Sequence, residues 1–316
     1  MERIVNCLEL NDEQRARFVE ALPGYEQIFA PYGVCRDGTK LTRADYEAAV
    51  IILGNPPAEV LAGCAKLRLL HTLSAGVDRY LEPGVLPEGT HLAGCSGAWG
   101  PSIAEHMFAM LLALMKRLPA YRDQQRAGDW NNLGREKTLM GARVLVVGTG
   151  DLGSSFAMRC KALGASTVGI RRDAAKSAEG VDEMHSFDDL DSQLPMADVV
   201  ALLLPHTSET AGLLDARRLA LLKDDAILLN GGRGTAVDCL ALSETLGQGR
   251  LWGAGLDVTS PEPLPADHPL WQQDRVIITP HTAGGHLDDT RERIVEIILE
   301  NLRRYFAGEK LRNQFL

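Results

Sequence analysis

The chain has 316 residues, of which 45% are hydrophobic, and it carries a formal net charge of −9 at pH 7. A chain of this length can bury two cores of ordinary size. Its acidity, without a run of lysine or arginine, argues against nucleic acid and anionic membranes as partners. The longest apolar run, Met107–Met115, is far shorter than the roughly 18–20 residues that span a bilayer. These totals favour a two-domain enzyme that acts on small molecules.

The N-terminal third alternates short apolar runs with helix-like segments, which is typical of a βα sheet domain. The predicted strands are Ile4–Leu8, Val50–Leu53 and Leu69–Leu73, and the predicted helices are Asp12–Leu22 and Pro57–Lys66.

A change of pattern near residue 100 predicts the start of a helix. Ser102 and Glu105 form a capping box, in which the hydroxyl satisfies an early helical amide and the glutamate reaches back. Apolar residues then recur three and four positions apart from Ile103 to Leu118, which predicts one helix with a broad buried face.

From Arg143 onward the pattern repeats as strand, turn and helix, as expected for a doubly wound parallel sheet. The predicted strands are Val144–Val147, Thr167–Ile170, Asp198–Leu204, Ala226–Asn230, Gly253–Val258 and Val276–Thr279. The last periodic segment, Leu287–Phe306, predicts a long helix that ends before Gly308.

The 6 cysteines are scattered, with no C-x-x-C pair and no histidine at metal-ligand spacing. We therefore expect free thiols and no metal site. The first residues, MERIVNCLEL, show no signal-peptide pattern. Both observations predict a cytoplasmic protein.

The strongest local signal is the G-x-G-x-x-G of Gly148, Gly150 and Gly153, which lies between an apolar strand and a helical pattern. The first glycine permits a tight turn, the second lets the backbone approach a pyrophosphate, and the third lets the helix pack on the strand. Because the helix N-terminus favours an anion, this segment predicts a dinucleotide-binding site that includes Asp151 and Leu152.

Arg171 and Arg172 follow the second strand, where an acid usually bonds the ribose 2′-hydroxyl of NAD. Guanidinium groups suit a 2′-phosphate and cannot accept a hydrogen bond from a hydroxyl. We therefore expect NADP as the cofactor. NAD stays possible if both arginines are solvated loop charges and Asp173 does the work of the acid.

Three ionisable residues follow later predicted strands: Arg233 in NGGRG, Glu262 in DVTSPEP and His281 in TPHTAG. Ligands of open α/β sheets bind at the carboxyl ends of the strands, so the three could converge. Each alone could be structural. Together with a dinucleotide site, they form the set that a 2-keto acid reductase needs.

The chemistry of these residues can be stated from their types. Arg233 could hold the carboxylate and carbonyl oxygen of a 2-keto acid in a fixed fork. His281 could give a proton to that oxygen as hydride arrives, and take one from the hydroxyl in the reverse direction. Glu262, hydrogen-bonded to the other ring nitrogen, would fix the tautomer and favour the protonated ring.

Motifs along nearly the whole chain resemble the D-isomer-specific 2-hydroxyacid dehydrogenase family, including its glyoxylate and hydroxypyruvate reductases. They are Leu73–Asp78, Ile103–His106, the G-x-G-x-x-G, Leu204–Thr210, Gly231–Asp238, the Glu262 segment and Thr279–His281.

The resemblance implies an α/β fold in which a doubly wound Rossmann dinucleotide-binding domain, residues 100–285, is inserted in a smaller flavodoxin-like substrate domain, residues 1–99 with 286–316 returning to it. It implies a homodimer formed around the helix near Ser102. It also implies that the backbone of Ser74, Ala75 and Gly76 binds the substrate together with Arg233. Further cofactor contacts are implied for Leu204, Pro205, Thr210, Gly231, Gly232, Arg233, Asp257 and His281.

Ala75 stands where phosphite-oxidising relatives carry Lys, and Glu262 where formate-specific relatives carry Gln, so neither substrate is expected. Three hypotheses stay open. The first is an NADPH-dependent reductase of glyoxylate, hydroxypyruvate or a similar small acid. The second is a non-catalytic dinucleotide-sensing protein of the corepressor type, a class that the family includes. The third is an NAD(P)-dependent enzyme with a quite different substrate, since fold and cofactor do not fix the reaction.

Overall fold

The computed structural model describes residues 1–285 and 288–316. The chain divides into two compact units: unit 1 comprises Met1–Trp99 and His286–Leu316, and unit 2 comprises Gly100–Gly285. Within the described residues, no helix combines the length and the apolar character needed to cross a membrane.

Unit 1 contains a five-stranded parallel sheet. Its strands are β1 (Glu2–Asn6), β2 (Tyr25–Phe29), β3 (Ala49–Leu53), β4 (Leu69–His71) and β5 (His91–Ala93). Its described helices are α1 (Asp12–Ala21), α2 (Arg43–Glu47) and the C-terminal helix Asp288–Phe306. The strand order β2-β1-β3-β4-β5 is that of flavodoxin-like proteins.

The C-terminal helix completes the core of unit 1. Ile294, Ile298 and Leu302 recur at intervals of four on its inner face and are buried against residues such as Phe18 and Ile51. Each buried aliphatic side chain of this kind stabilises the fold by about 1.5–3 kcal/mol. Residues from the two ends of the chain therefore form one core.

Unit 2 contains a seven-stranded parallel sheet. Its strands are β6 (Arg143–Val147), β7 (Ser166–Ile170), β8 (Glu183–His185), β9 (Val199–Leu202), β10 (Ile227–Asn230), β11 (Gly253–Leu256) and β12 (Val276–Ile278). Its helices are α3 (Gly100–Met115), α4 (Leu118–Ala127), α5 (Asp151–Ala162), α6 (Leu190–Gln193), α7 (Ala216–Leu219) and α8 (Cys239–Gly247).

The order of this sheet is β12-β11-β10-β9-β6-β7-β8. The chain winds outward from β6 in one direction through β7 and β8, and in the other through β9 to β12. The strand order therefore reverses between β6 and β9, which is the point where open α/β sheets bind their ligands. The predicted doubly wound α/β class is confirmed.

Glycines in and after the strands bring α3 close to the sheet. A Cβ atom at Gly231 would lie 2.5 Å from the Met107 sulfur, and one at Gly255 would lie 3.2 Å from the Met110 Cβ. A glycine within a strand often marks such a close approach. The helix can thus place its polar residues directly beside the ends of β11 and β12.

The predicted strands are confirmed with small differences at their ends, whereas β2, β5 and β8 were not predicted. In β2 (YEQIF) Glu and Gln interrupt the apolar residues, and β5 (HLA) and β8 (EMH) have only 3 residues each, so none of the three shows an apolar run. The predicted helix Pro57–Lys66 is wrong: only a 3₁₀ turn, Ala58–Val60, forms there. The chain continues as turns through Gly63, where a Cβ atom would lie 2.8 Å from the Glu47 carboxylate.

The capping box is also wrong, because α3 begins at Gly100 and Ser102 lies inside its first turn. The Ser102 hydroxyl donates to the Gly284 carbonyl at 2.6 Å, and Glu105 pairs with Arg159 at 2.7 Å. The single helix predicted to reach Leu118 is interrupted at Arg117, whose φ is 55°. Leu118 therefore starts α4 and is 54% exposed instead of buried.

The predicted C-terminal helix is confirmed from Asp288 to Phe306, and its predicted first residue, Leu287, lies outside the described residues. Gly308 has a φ of +70°, which is the left-handed conformation that commonly ends a helix.

Candidate active site

The glycine motif forms the turn between β6 and α5. Gly148 has a φ of +96°, and a Cβ atom there would lie 2.5 Å from the Leu203 carbonyl oxygen. A Cβ atom at Gly153 would lie 1.9 Å from the Gly148 carbonyl oxygen. Any side chain at either position would therefore displace backbone, which explains why glycine occupies both.

Gly150 differs from the other two glycines, because a Cβ atom there would have no described atom within 4 Å. This open space lies in front of the N-terminus of α5, whose first amides have no partner within the helix. Space and amide donors together fit a pyrophosphate. The Asp151 carboxylate accepts from the Gly100 amide at 3.0 Å, so it is directed towards the start of α3, and Leu152 is partly buried.

Charged side chains surround the loop that follows β7. The Arg171 guanidinium donates to the carbonyl oxygens of Lys176 and Ser177, each at 3.3 Å. Arg172 pairs with Glu209 at 2.7 Å, and both side chains are largely exposed. Asp173 accepts from the Ala175 amide at 3.2 Å. The sequence did not indicate Glu209, which lies 37 residues away in the loop after β9.

The loop after β9 contains three of the residues implied as cofactor contacts. Leu204 is buried, Pro205 is exposed, and Thr210 is buried. The Thr210 hydroxyl donates to the Pro205 carbonyl at 2.7 Å and accepts from the Thr207 amide at 2.9 Å. In this structure Thr210 therefore holds the turn together.

Arg233 lies just beyond β10 in extended backbone and is partly buried. The fully buried Asn230 side chain fixes this segment, because it donates to the Arg233 carbonyl at 3.1 Å and accepts from the Gly232 amide at 3.2 Å. Gly231 and Gly232 are buried, and a Cβ atom at Gly232 would lie 2.6 Å from the Leu204 amide nitrogen. The guanidinium donates to the Gly232 carbonyl at 2.9 Å.

Glu262 and His281 are brought together although they lie in different loops. His281 Nδ1 is 2.6 Å from Glu262 Oε1, and the two side chains are 51% and 44% exposed. Because a carboxylate oxygen accepts, Nδ1 carries a proton, and Nε2 is the ring nitrogen that this contact leaves available. Because β10, β11 and β12 are neighbours, the segments that follow them, including Arg233 and His281, leave the same edge of the sheet.

Asp257 follows β11 and is 3% exposed. Its Oδ1 accepts from the Thr279 hydroxyl at 2.6 Å and from the amides of Thr282 and Ala283 at 2.9 and 3.2 Å. Its carbonyl accepts from the His281 amide at 2.8 Å. The residue implied as a cofactor contact thus holds the loop that carries His281.

His106 extends this network and was not predicted. Its Nε2 lies 3.0 Å from the Thr279 hydroxyl and 3.7 Å from Asp257 Oδ1. The motif residues Ile103–His106 and Thr279–His281 were visible in the sequence. Their contact joins positions 173 residues apart, and no local pattern indicates it.

The predicted substrate loop lies in unit 1 after β4. The Ser74 hydroxyl donates to the Gly76 carbonyl at 2.7 Å, and the Ser74 carbonyl accepts from the Cys95 amide at 3.0 Å. Within the described residues, the amides of Ser74, Ala75 and Gly76 donate to no protein acceptor. Three partly exposed amides in succession fit an anionic group.

Comparisons with known proteins agree with this geometry. A family model described as "D-isomer specific 2-hydroxyacid dehydrogenase, NAD binding domain" matches residues 108–283. A glyoxylate reductase from Korarchaeum cryptofilum is 32% identical over 274 residues, which are 84% of this chain and 81% of that protein. A D-3-phosphoglycerate dehydrogenase from Mycobacterium leprae is 34% identical over 279 residues, or 86% of this chain, but the chain spans only 52% of that relative's length.

A solved structure is similar over the whole chain. It is the D-isomer specific 2-hydroxyacid dehydrogenase from Xanthobacter autotrophicus Py2 in complex with NADPH and MES, at 31% identity and a TM-score of 0.82, covering 100% of this chain and 98% of that one. The chain therefore belongs to the D-isomer specific 2-hydroxyacid dehydrogenase family of oxidoreductase enzymes.

Proposed function

We propose that this protein reduces a small 2-keto acid such as glyoxylate or hydroxypyruvate with NADPH. The observation that carries the proposal is the 2.6 Å contact between His281 and Glu262, at the same sheet edge as Arg233 and in the unit that contains the glycine motif. This contact leaves Nε2 of His281 available for proton exchange with a carbonyl oxygen.

The roles of the residues follow from their chemistry. Arg233 holds the carboxylate and carbonyl oxygen of the acid, because its planar fork can donate two parallel hydrogen bonds. His281 protonates the carbonyl oxygen, and Glu262 keeps the ring in the required tautomer. The bound nicotinamide supplies the hydride. In unit 1, the amides of Ser74, Ala75 and Gly76 bind the substrate carboxylate.

The cofactor is held along the carboxyl edge of the sheet of unit 2. Gly148, Gly150 and Gly153 bring the first turn of α5, with Asp151 and Leu152, to the pyrophosphate. The other contacts come from the segments after β9 to β12, namely Leu204, Pro205, Thr210, Gly231, Gly232, Arg233, Asp257 and His281. Unit 2 is then the dinucleotide-binding domain, and unit 1 is the substrate domain.

Arg171 and Arg172 favour NADPH over NADH. A 2′-phosphate brings nearly two negative charges, and a hydrogen bond between charged groups contributes about 1.5–3 kcal/mol, so one contact favours NADPH about tenfold or more. Arg172 must first leave Glu209, but an exposed ion pair of this kind is worth only about 0–1 kcal/mol. The Xanthobacter relative bound to NADPH supports the same preference.

A substrate panel tests the activity. Glyoxylate, hydroxypyruvate, pyruvate and 3-phosphohydroxypyruvate are each offered with NADPH and with NADH, and the loss of absorbance of the reduced nicotinamide is followed. We expect turnover of the small unphosphorylated acids and a higher kcat/KM with NADPH. No turnover of any acid with either nucleotide would contradict the proposal and favour a protein that only senses dinucleotides.

Two variants test the cofactor preference. Replacing Arg171 with Asp and Arg172 with Ala should lower kcat/KM for NADPH at least about tenfold while sparing NADH, because the charge that meets the 2′-phosphate is removed. The matched variant Glu209→Gln should lower the KM for NADPH, since it releases Arg172 from its partner. Equal wild-type kcat/KM for the two nucleotides would refute the preference and favour Asp173 as the ribose ligand.

We also propose a homodimer. Large apolar side chains on unit 2 are exposed: Leu118 at 54%, Trp130 at 99%, Met140 at 77% and Leu163 at 49%. Exposed apolar residues of this size are typical of protein interfaces. Light scattering after gel filtration should give twice the chain mass of 34.3 kDa. The monomer mass at micromolar concentration would contradict the proposal.

A cytoplasmic location is proposed from the thiols. All the cysteines, including the buried Cys64, Cys95 and Cys160, are free in the structure. Free thiols persist in a reducing compartment. Fractionation of cells that express the protein should recover it with cytoplasmic markers.

A further inference from the structure

A chain of hydrogen bonds runs from α3 to the loop that carries His281. His106 Nε2 lies 3.0 Å from Thr279 Oγ1, which in turn lies 2.6 Å from Asp257 Oδ1. The side chain of His106 is 25% exposed, and that of Asp257 is 3% exposed. The His106 ring therefore meets a nearly inaccessible carboxyl group through one hydroxyl.

The direction of each hydrogen bond follows from the number of protons available. Asp257 already accepts from the amides of Thr282 and Ala283, so the single proton of the Thr279 hydroxyl is directed to its carboxylate. The Thr279 oxygen must then accept from His106, so Nε2 of His106 carries a proton. His106 is thus the first donor of a chain that ends on Asp257.

The last part of the chain controls the backbone of His281. This residue has a φ of 51°, a left-handed conformation that costs a residue other than glycine about 1–2 kcal/mol. The conformation is kept by the amides on either side of the turn: the His281 amide donates to the Asp257 carbonyl at 2.8 Å, and the Thr282 amide donates to Oδ1 at 2.9 Å. Asp257 must therefore stay in place for His281 to keep its orientation.

We infer that His106 is a positioning residue for the reaction, which acts through Thr279 and Asp257 to hold His281 in the orientation that exchanges a proton with the substrate. This inference rests on the catalytic role proposed for His281. The contacts of His106 that reach the loop of His281 run through Thr279 and Asp257. Its contribution is geometric, and small displacements of a catalytic group are costly for turnover.

The test compares two pairs of variants in the full-length protein. His106→Leu and Thr279→Val remove the donor and the hydroxyl with little change of volume. His106→Gln returns an amide donor, and Thr279→Ser returns the hydroxyl. Glu105→Gln, at the neighbouring residue of α3, breaks an exposed ion pair with Arg159 and controls for general effects on the helix.

We expect His106→Leu and Thr279→Val each to lower kcat for glyoxylate about tenfold to hundredfold. The dissociation constant of the nucleotide, measured by fluorescence titration, should change much less than kcat, because the glycine motif is untouched and Asp257 is only one of several proposed cofactor contacts. The double variant should be hardly worse than either single one, since both changes break the same chain. His106→Gln and Thr279→Ser should recover most of the lost turnover.

The outcomes separate this inference from the proposed function. If His281→Ala abolishes turnover while His106→Leu retains normal kcat, the chain from α3 has no positioning role. Equal losses in His106→Leu and His106→Gln, or a loss that follows only the melting temperature, would also overturn it. If His281→Ala retains normal turnover, the proposed function itself is wrong, whatever the result for His106.

Discussion

Two histidines that lie at or after the ends of strands differ in burial, in the charge of their partners and in their access to solvent. His71 ends β4 in unit 1 and is fully buried, with Nδ1 3.0 Å from the Thr72 carbonyl and Nε2 2.8 Å from the Asn301 amide nitrogen. His281 follows β12 in unit 2, is half exposed, and meets the carboxylate of Glu262. The first ring has only uncharged partners, and the second has a charged partner and access to solvent.

Its surroundings keep the His71 ring out of proton exchange. Burial lowers the pKa of His71 to about 4, so its ring stays neutral at neutral pH. In that state Nδ1–H donates to the Thr72 carbonyl and Nε2 accepts from Asn301, which leaves no lone pair or proton for a substrate. His71 joins β4 to the C-terminal helix, whereas His281 keeps Nε2 free for chemistry.

The largest effect is expected when the exposed ring is removed. His281→Ala should lower kcat for the preferred keto acid by about 10²–10⁴, because the proton donor is lost. Nucleotide affinity, measured by fluorescence titration, should fall much less than kcat, because His281 is only one of several proposed cofactor contacts. The matched variant His71→Gln should keep kcat per folded molecule but unfold at lower urea concentration. Comparable kcat losses in the two variants would mean that exposure and a charged partner do not set His281 apart from His71.

Arg233 is the other charged group that is proposed to act on the substrate. Arg233→Ala should lower kcat/KM about 100-fold or more through both a higher KM and a lower kcat, because two charge-assisted hydrogen bonds to the acid are lost. Arg233→Lys should recover little of it, since an ammonium group lacks the planar fork. Steady-state kinetics with glyoxylate measures both variants, and full recovery with Lys would mean that only the charge matters.

Protonation of His71 should have the next largest effect, and it should change the stability of the fold and not turnover. In the folded chain the pKa of His71 is about 4, below its ordinary value of 6.5. Between pH 4 and pH 6.5 the unfolded chain therefore binds a proton on this ring that the folded chain does not bind. Stability from the neutral ring is complete above about pH 6.5 and is lost as the pH falls towards 4, by about 3 kcal/mol over the whole window.

Urea unfolding at pH 7.5 and pH 4.5 measures this loss. The free energy of unfolding of the wild type should fall more than that of His71→Gln, which has no ring to protonate in the unfolded chain. The same decrease in both proteins would remove His71 from the acid sensitivity. Asn301→Asp offers a second check, because a carboxylate beside Nε2 should favour the charged ring and weaken the pH dependence.

The sequence predicted much of the two sheets because their strands are apolar runs. Strands β6 and β9 to β12 were predicted from such runs, and the glycine motif predicted the turn between β6 and α5. Strands β2, β5 and β8 were missed because each is an edge strand that mixes polar with apolar residues or is only 3 residues long, so none forms an apolar run. The helix ends near Ser102 and Arg117 depend on tertiary contacts and backbone strain, which local patterns do not contain.

The candidate site, too, could be predicted only in part. Arg233, Glu262 and His281 each follow an apolar strand or lie in a distinctive turn, and the topological rule brings their loops to one edge of the sheet. The partners of Arg172 and His106 could not be predicted, because Glu209 and Thr279 are remote in sequence. Nor does the sequence distinguish the exposed His281 from the buried His71, since burial is a property of the folded chain.

Glu262→Gln should give the smallest effect, and it tests whether the charged partner of His281 matters for turnover. Glu262→Gln keeps the size and the hydrogen-bond acceptor but removes the charge beside His281. Without the carboxylate, Nδ1–H of His281 donates to a neutral amide oxygen, which is a weaker acceptor, so the tautomer that leaves Nε2 available is held less firmly. The loss of kcat should be about tenfold, because the ring stays in place but is oriented less firmly. Since both side chains are about half exposed, solvent and salt screen the pair, and the effect should stay well below that of His281→Ala.

The pH profile of kcat from pH 5.5 to 9 measures the effect of Glu262→Gln. Glu262→Asp is the control variant, because it keeps the charge but shortens the side chain. A profile unchanged in Glu262→Gln would mean that the partner's charge does not govern His281, and the contrast with His71 would then rest on solvent access alone.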